Sequence, residues 1–321
     1  MTTNFKRGIS SFGTVMNGLP DPSAGNVYHV CQSTNTHPYK RYVEMYGGTK
    51  YKDGSYALHT TIQSALDATV ANRNDYVLVA LDSSDYDITA ALTMTKKGVH
   101  LLCPAGMHMG GIPSNACRIH QNTAALACIT STADCVEIAG FFFKGMIDSP
   151  IVTLSGTRWH NWVHHNFFGG AVTAGASIYL MHGDAASYQC SVTDNYMMGG
   201  YSPNAAQTIS GIIGFDDASS GRNLIARNFV VSGAKITVTA GILTKGMTDV
   251  VCDNYIIETV DGSLGAGTFT EAWDGAVSTV YIANRVAMDT PAESGGTADN
   301  THVDNYSATD GGDAESIIEA S

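Results

Sequence analysis

The chain has 321 residues, with 17 basic against 29 acidic side chains and a formal net charge of −12. No run of lysine or arginine exceeds two, so the concentrated cationic face that phosphate neutralisation requires is lacking and nucleic acid is not an expected partner. The longest apolar run, Tyr76 to Leu81, is far short of the roughly 20 residues that span a bilayer, and no membrane partner is expected. Only 14% of residues are charged while 34 are glycine, a balance that suits tight turns around short strands and argues against both a helical bundle and a disordered chain.

Residues 1–25 form a glycine- and proline-punctuated stretch without helical or alternating period. This reads as an extended anchoring arm whose apolar residues, Phe5, Ile9, Phe12, Val15, Met16 and Leu19, cannot make a core of their own. Lys6 and Arg7 lead into Gly8-Ile9-Ser10-Ser11 where a secretory leader would need an apolar run of roughly 7 to 15 residues, so folding in a reducing cytoplasm is expected. The seven cysteines, at 31, 103, 117, 128, 135, 190 and 252, show no C-x-x-C spacing and read as small buried hydrophobes.

Residues 26–74 read as a strand (Asn26 to Cys31), a polar loop through Tyr56, and a capping helix over Thr60 to Val70. Thr60 and Gln63 make a capping box there, and Ile62, Leu66 and Val70 share one face. Short strands follow at Asp75 to Ala80, Tyr86 to Met94, Val99 to Cys103, Ala124 to Ile129, Val136 to Phe143 and Ile151 to Leu154. Residues 75–306 are expected to form the repeating domain, and 307–321 an acidic tail.

The repeat is carried by asparagine. His165-Asn166-Phe167, Asp194-Asn195-Tyr196, Arg227-Asn228-Phe229, Asp253-Asn254-Tyr255, Ala283-Asn284-Arg285 and Asp304-Asn305-Tyr306 recur at steps of 29, 33, 26, 30 and 21 residues. Such a period marks a solenoid, in which each repeat buries its apolar face only by stacking on the next. The fold class that follows is all-β, a single-stranded right-handed parallel β-helix with an N-terminal arm and capping helix.

At the sharpest corner of each coil the asparagine is expected to take left-handed dihedrals and to stack into an amide ladder. Asn166, Asn195, Asn228 and Asn254 should form its rungs, with Phe167, Tyr196, Phe229 and Tyr255 as an aromatic column beside them. Arg227 should sit between Asp194 and Asp253 in a charge ladder. Gly140 lies in phase one repeat before Asn166. Val163, Val192, Ile225 and Val251, three residues before the asparagine, make one core column; at Ile282 and Val303 the apolar residue has shifted by one, which predicts a loss of register in the last two coils.

Candidate chemistry is sparse. Asp216-Asp217 is the one paired acid and reads as turn chemistry, and no cluster of acids beside an arginine or lysine emerges from the coil phase. His160, Trp162 and His164 alternate and could present two imidazoles to a metal, but no third ligand stands at matching phase. A surface ladder, or a sugar-stacking or interface patch, suits them as well. No catalytic residue, cofactor or metal is expected.

The order of elements in the first third is more specific. Ser11-Phe12-Gly13, Gly18-Leu19-Pro20, Gly25 to Val30, Thr60 to Asp67, Asp75 to Ala80 and Lys97 to Cys103 together resemble the amino-terminal layout of right-handed, pectate-lyase-like β-helix structural proteins of tailed-bacteriophage virions. The resemblance implies a non-enzymatic virion protein, a head decoration or vertex protein that is trimeric and contacts capsid or another virion protein. The alternative it leaves open is a tailspike or fibre module that binds, or cleaves, host glycan.

Overall fold

The computed structural model describes residues 25–104, 117–123, 126–145, 149–169, 179–199, 207–233, 235–258, 267–275 and 278–287. It also describes the short strand pieces Ser10–Ser11, Thr14–Val15, Thr301–Val303, Asn305–Ala308 and Glu315–Ile317. The arm side chains Phe5, Ile9, Phe12, Val15, Met16 and Leu19 lie outside what is described.

Among the described residues, three sheets of eleven, ten and seven strands run along one axis, parallel throughout except for the last pair of the ten-stranded one. A single coil visits each in turn. Glu137–Ala139 lies in the first sheet, Phe141–Gly145 in the second and Val152–Leu154 in the third, and the chain returns at Trp162–His164 to pair in parallel with Glu137–Ala139. This is a parallel β-helix. Strands of about three residues suffice because each places one or two apolar side chains inward, and the next coil closes over them. Val30, Val77, Leu101, Ile138, Val163, Val192, Ile225 and Val251 are all fully buried down the inside of the first sheet.

The expected slip in the last two coils does not occur. Val251 is in register with Tyr281, and Tyr281 with His302. The core position three before Asn284 is simply filled by a tyrosine, whose ring is fully buried and stacked on Trp273 at 5.2 Å. Strict aliphatic matching misses an aromatic that serves as core. The tail also differs from a free acidic segment, because Glu315–Ile317 returns antiparallel to Asn305–Ala308.

At the N-terminal end the strand Val27–Val30 belongs to the first sheet, paired with Asp75–Val79 and with Leu58–His59. The stretch read as loop contains a short helix, α1 (Lys40–Glu44), whose Val43 packs with Cys31 and Ala80. The capping helix, α2, is Ile62–Ala68, shorter than expected. Its N-cap is Thr61, whose hydroxyl accepts from Ser64 N at 3.2 Å, so the Thr60/Gln63 capping box is not formed. Val70 lies beyond the helix and is exposed.

Gln63 has another task. Its Oε1 accepts from Thr93 N at 2.8 Å and its Nε2 donates to Thr93 O at 3.3 Å. A side-chain amide thus takes the place of a neighbouring strand at the edge of the third sheet, where Leu92–Met94 is the first strand. The other strands fall near their expected places, except that Tyr86 to Met94 divides into Tyr86–Ile88 and Leu92–Met94, and Ile129–Ser131 starts later than read. All seven cysteines are free, five of them buried.

Candidate functional site

The corner between the first and second sheets is built by two adjacent residues with separate tasks. The left-handed residue is not the asparagine but the one before it: His165 (φ 52°), Asp194 (58°), Arg227 (56°), Asp253 (55°) and Ala283 (52°). Gly140 (φ 84°) holds this same place one coil earlier, so it is the equivalent of His165, and Phe141 that of Asn166. The reason is geometric. A left-handed residue turns its side chain out to solvent, whereas a rung must point in.

The asparagines are buried and saturated. Asn166 Oδ1 accepts from Phe141 N at 3.1 Å, Asn195 Oδ1 from Asn166 N at 3.0 Å, Asn228 Oδ1 from Asn195 N at 3.1 Å and Asn254 Oδ1 from Asn228 N at 2.9 Å. Asn284 and Asn305 continue the series at 3.0 and 2.9 Å. Each Nδ2 donates to a carbonyl of the preceding coil, as Asn228 does to Val192 O at 2.8 Å. Burying so many amides is tolerable only because none is left unpaired.

A second ladder, not read from the sequence, lines the corner between the third and first sheets. Its left-handed residues are Cys135, His160, Gln189, Arg222, Thr248 and Ser278. The buried residues that follow them are Val136, Asn161, Cys190, Asn223, Asp249 and Thr279. Asn161 Oδ1 accepts from Val136 N at 3.0 Å, Asn223 Oδ1 from Cys190 N at 3.0 Å, and Asp249 Oδ1 from Asn223 N at 2.8 Å. Asp249 Oδ2 is buried without a hydrogen-bond partner, and burial pushes this carboxyl up to about 6.

Outside the first corner the aromatic column is continuous. Phe167 and Tyr196 stack at 4.9 Å, Tyr196 and Phe229 at 5.0 Å, and Phe229 and Tyr255 at 6.2 Å, with the Arg285 guanidinium 5.2 Å from the Tyr255 centroid. The ring faces are occupied by one another, which leaves only edges for a ligand. Arg227 does not bridge two carboxylates. Its Nε and Nη2 donate to the two oxygens of Asp194 at 2.7 and 2.8 Å, because a planar fork matches a single carboxylate, and Asp253 acts on it only through space. Burial raises the Asp194 carboxyl, but these bonds outweigh it and hold the group below its ordinary value.

A cluster of acids beside basic residues does exist, contrary to the sequence reading. It lies on the outer face of the second sheet, where the register sets Asp87 beside His120 and His120 beside Lys144. Asp85 Oδ1 lies 2.6 Å from Arg118 Nε and its Oδ2 accepts from Lys144 Nζ at 3.2 Å; Asp87 Oδ1 is 2.9 Å from His120 Nδ1 and 3.2 Å from Asn122 Nδ2. Oxygens of Asp85 and Asp87 and a nitrogen of His120 lie within 4.8 Å of one another, a spacing a metal ion could use. Arg118 and Lys144 already neutralise Asp85, which disfavours a further cation. Asp87 also lines a cleft of about 320 Å³ between the start of α2 and the segment from Tyr86 to Leu92.

On the outer face of the first sheet, Glu137 joins two histidines. His100 Nδ1 is 2.5 Å from its Oε2 and His164 Nε2 is 2.8 Å from its Oε1, while His100 Nε2 is 2.6 Å from Asn74 Oδ1. Glu137 is a partner of the His160–His164 stretch that the coil phase does not reveal. His160 itself stands apart, exposed at the second corner, so it does not share a face with His164. Burial would raise the Glu137 carboxyl, yet the histidine bonds bring it down to about 2. An ionised carboxylate only accepts, so both facing imidazole nitrogens carry hydrogens. Trp162 stacks on His164 at 3.7 Å, donates Nε1–H to Thr193 Oγ1 at 3.0 Å, and remains 39% exposed; Trp159, 41% exposed, stacks on Tyr188 at 4.4 Å.

The paired acid divides. Asp217 Oδ1 accepts from Ser219 N at 2.7 Å within a turn, whereas Asp216 Oδ1 lies 3.1 Å from His182 Nε2, within ion-pair distance but off the line of a hydrogen bond. His182 stacks under Tyr179 at 4.7 Å, and Tyr179 lies over Gly211 and Gly214, where a Cβ would approach its ring to 2.7 and 2.5 Å. Burial, reinforced by Asp216 and Asp274, pushes the Tyr179 hydroxyl up to about 12.

No family model and no curated protein matches the chain. Among solved structures it is similar to ORF18 of Geobacillus virus E2, with 11% identity over 83% of this chain and 60% of that one and a TM-score of 0.35. It is also similar to a mutant of the PL6-family alginate lyase AlyGC, with 9% identity over 81% of this chain and 53% of that one and a TM-score of 0.29. A third is the A-module of the Azotobacter vinelandii mannuronan C-5 epimerase AlgE4, with 14% identity over 83% and 95% and a TM-score of 0.26. The chain therefore spans only 60% and 53% of the first two in length.

Proposed function

We propose that the protein is a non-enzymatic structural component of a tailed-phage virion, a β-helical head decoration or vertex protein that assembles as a trimer and contacts the capsid. The observation that supports this reading is the uninterrupted ladder from Phe141 to Asn305, in which successive coils are locked by backbone-to-amide and amide-to-amide bonds. Such a rod resists bending and local opening, which suits display on a particle. The element order of the first third supports the phage assignment. Immuno-electron microscopy of purified virions of the encoding phage, with antibody against the recombinant chain, tests it. Regular labelling of heads is expected; absence of the chain from washed virions would overturn the reading.

A second reading rests on Trp162 and Trp159. Trp162 is fixed by stacking and by its Nε1 bond yet keeps an exposed surface, a preorganised platform for the C–H face of a sugar ring. In this reading the chain is a tailspike-like module that binds host glycan. Titration calorimetry with host surface polysaccharide would show binding that Trp162→Ala abolishes; no heat with either protein refutes it.

A further inference from the structure

Among the described residues, the N-terminal end of the β-helix covers the first strand of two of its three sheets and leaves that of the second without a strand partner on its outer side, with Gln32 Nε2 donating to Asp85 O at 3.1 Å beside it. The third sheet ends at Leu92–Met94, whose edge is met by Gln63, and the first sheet continues through Val27–Val30 to Leu58–His59. The second sheet ends at Tyr86–Ile88, which pairs with Cys117–Gln121 on one side and, among the described residues, with no strand on the other. The cleft of about 320 Å³ lies along this same segment, lined by Gln32, Thr60, Gln63, Asp87, Thr89 and Ala90. An open strand edge bordering a cleft is the geometry that accepts an extended peptide as an added strand.

We infer that this cleft receives the N-terminal arm, residues 1–24, of a second copy of the chain, as an additional strand on Tyr86–Ile88. Three observations select this occupant. The arm has β backbone where it is described, since Ser10–Ser11 and Thr14–Val15 pair with each other as an antiparallel hairpin, whose strands can add to such an edge. Its charge is complementary: residues 1–24 carry Lys6 and Arg7 against one acid, Asp21, in a chain of net charge −12, while the cleft presents Asp87, whose side chain is 62% exposed. Its reach suffices, about 30 Å for the nine residues 16–24 between the hairpin and Gly25 if extended.

Geometry favours a second copy over the same one. The arm leaves at Gly25, tied to Asn74 O at 3.0 Å beside the start of the first sheet, whereas the cleft lies between the second and third sheets. α2, which packs on strands of both the first and the third sheet, stands between, so an arm folding back on its own chain would have to cross it. Passing to a neighbour requires no such detour, and repetition around a closed ring joins the copies by exchanged strands.

The test uses the full chain with a photoreactive benzoylphenylalanine in place of Phe12, mixed from isotopically heavy and light copies and analysed by mass spectrometry after irradiation. Heavy-to-light crosslinks between the arm and residues 60–63 or 86–92 are expected. Ala90→Trp, an exposed cleft-filling change, should lower their yield at least tenfold and shift sedimentation from oligomer to monomer, with Thr60→Trp on the facing wall as a second block. Crosslinks confined to one copy, crosslinks mapping elsewhere on the β-helix or to another protein, or a yield that survives both tryptophans in chains whose circular dichroism is native would each overturn the inference.

Discussion

Asp249 is a rung of the second ladder that carries the wrong chemistry for its place, and Asp249→Asn should stabilise the protein. The residue is fully buried, its Oδ1 accepts from Asn223 N at 2.8 Å, and its Oδ2 has no hydrogen-bond partner. Burial lifts the carboxyl from 3.8 to about 6. That shift opposes the ionised form by about 3 kcal/mol at 1.36 kcal/mol per pH unit. The sign follows from linkage. A carboxyl with a folded-state value above its unfolded value contributes stability that is complete below about 3.8 and is lost as pH rises through about 6. At pH 7 the natural side chain is ionised and the contribution is gone. An amide does not titrate, and its Nδ2 can donate to the Ser220 carbonyl, three residues before Asn223, as Asn223 Nδ2 does to Ser187 O at 3.0 Å. Guanidinium unfolding at pH 7 should therefore show the variant more stable by about 3 kcal/mol. The advantage should shrink by most of that amount on going to pH 4. An advantage independent of pH, or a less stable variant at pH 7, would refute the reasoning.

Asn228→Ala strips a rung whose Oδ1 accepts from Asn195 N and Asn195 Nδ2 and whose Nδ2 donates to Val192 O and Asn254 Oδ1, and losing these four buried hydrogen bonds should cost at least ~3 kcal/mol, read as a lower unfolding midpoint. Thr248→Gly should do the opposite, gaining about 1 kcal/mol in the same assay, because Thr248 is an exposed, β-branched residue held at φ 63°. Glu137→Gln removes a carboxylate lowered from 4.5 to about 2, whose stabilisation of about 3 kcal/mol is present above 4.5 and lost as pH falls through 2. The variant should accordingly be less stable at pH 7, with the gap closing toward pH 2; a constant gap would show that the histidine contacts act by packing alone.

The repeat of asparagine was enough to fix the fold class, the axis and the column of core residues, because one residue type recurs where one backbone environment recurs. What it could not reveal was the division of labour within the corner: His165 and Asn166 are adjacent, and a spacing pattern alone does not tell the turning residue from the rung. The second ladder stayed hidden for a different reason. Asn161, Cys190, Asn223, Asp249 and Thr279 share a place but not a chemistry, so no motif repeats. The phase read from Gly140 is one residue off, since Phe141 is the equivalent of Asn166, and this hides Glu137 and Lys144, while Asp85 and Arg118 lie in earlier coils with no rung asparagine. Pairing of Asp87 with His120, 33 residues apart, therefore becomes visible only from the register.

The split corner has an evolutionary consequence. Because the backbone turn is made by the outward residue and the cohesion by the inward one, the two are under different pressures. The inward position admits little beyond asparagine along Asn166 to Asn305, while the outward position already holds histidine, aspartate, arginine and alanine at almost the same dihedrals. A line of side chains about 4.8 Å apart, running the length of the rod, is thereby free to vary without disturbing the interior. The surface along this line can be rewritten one coil at a time, so a lineage could change what the rod touches while keeping the rod.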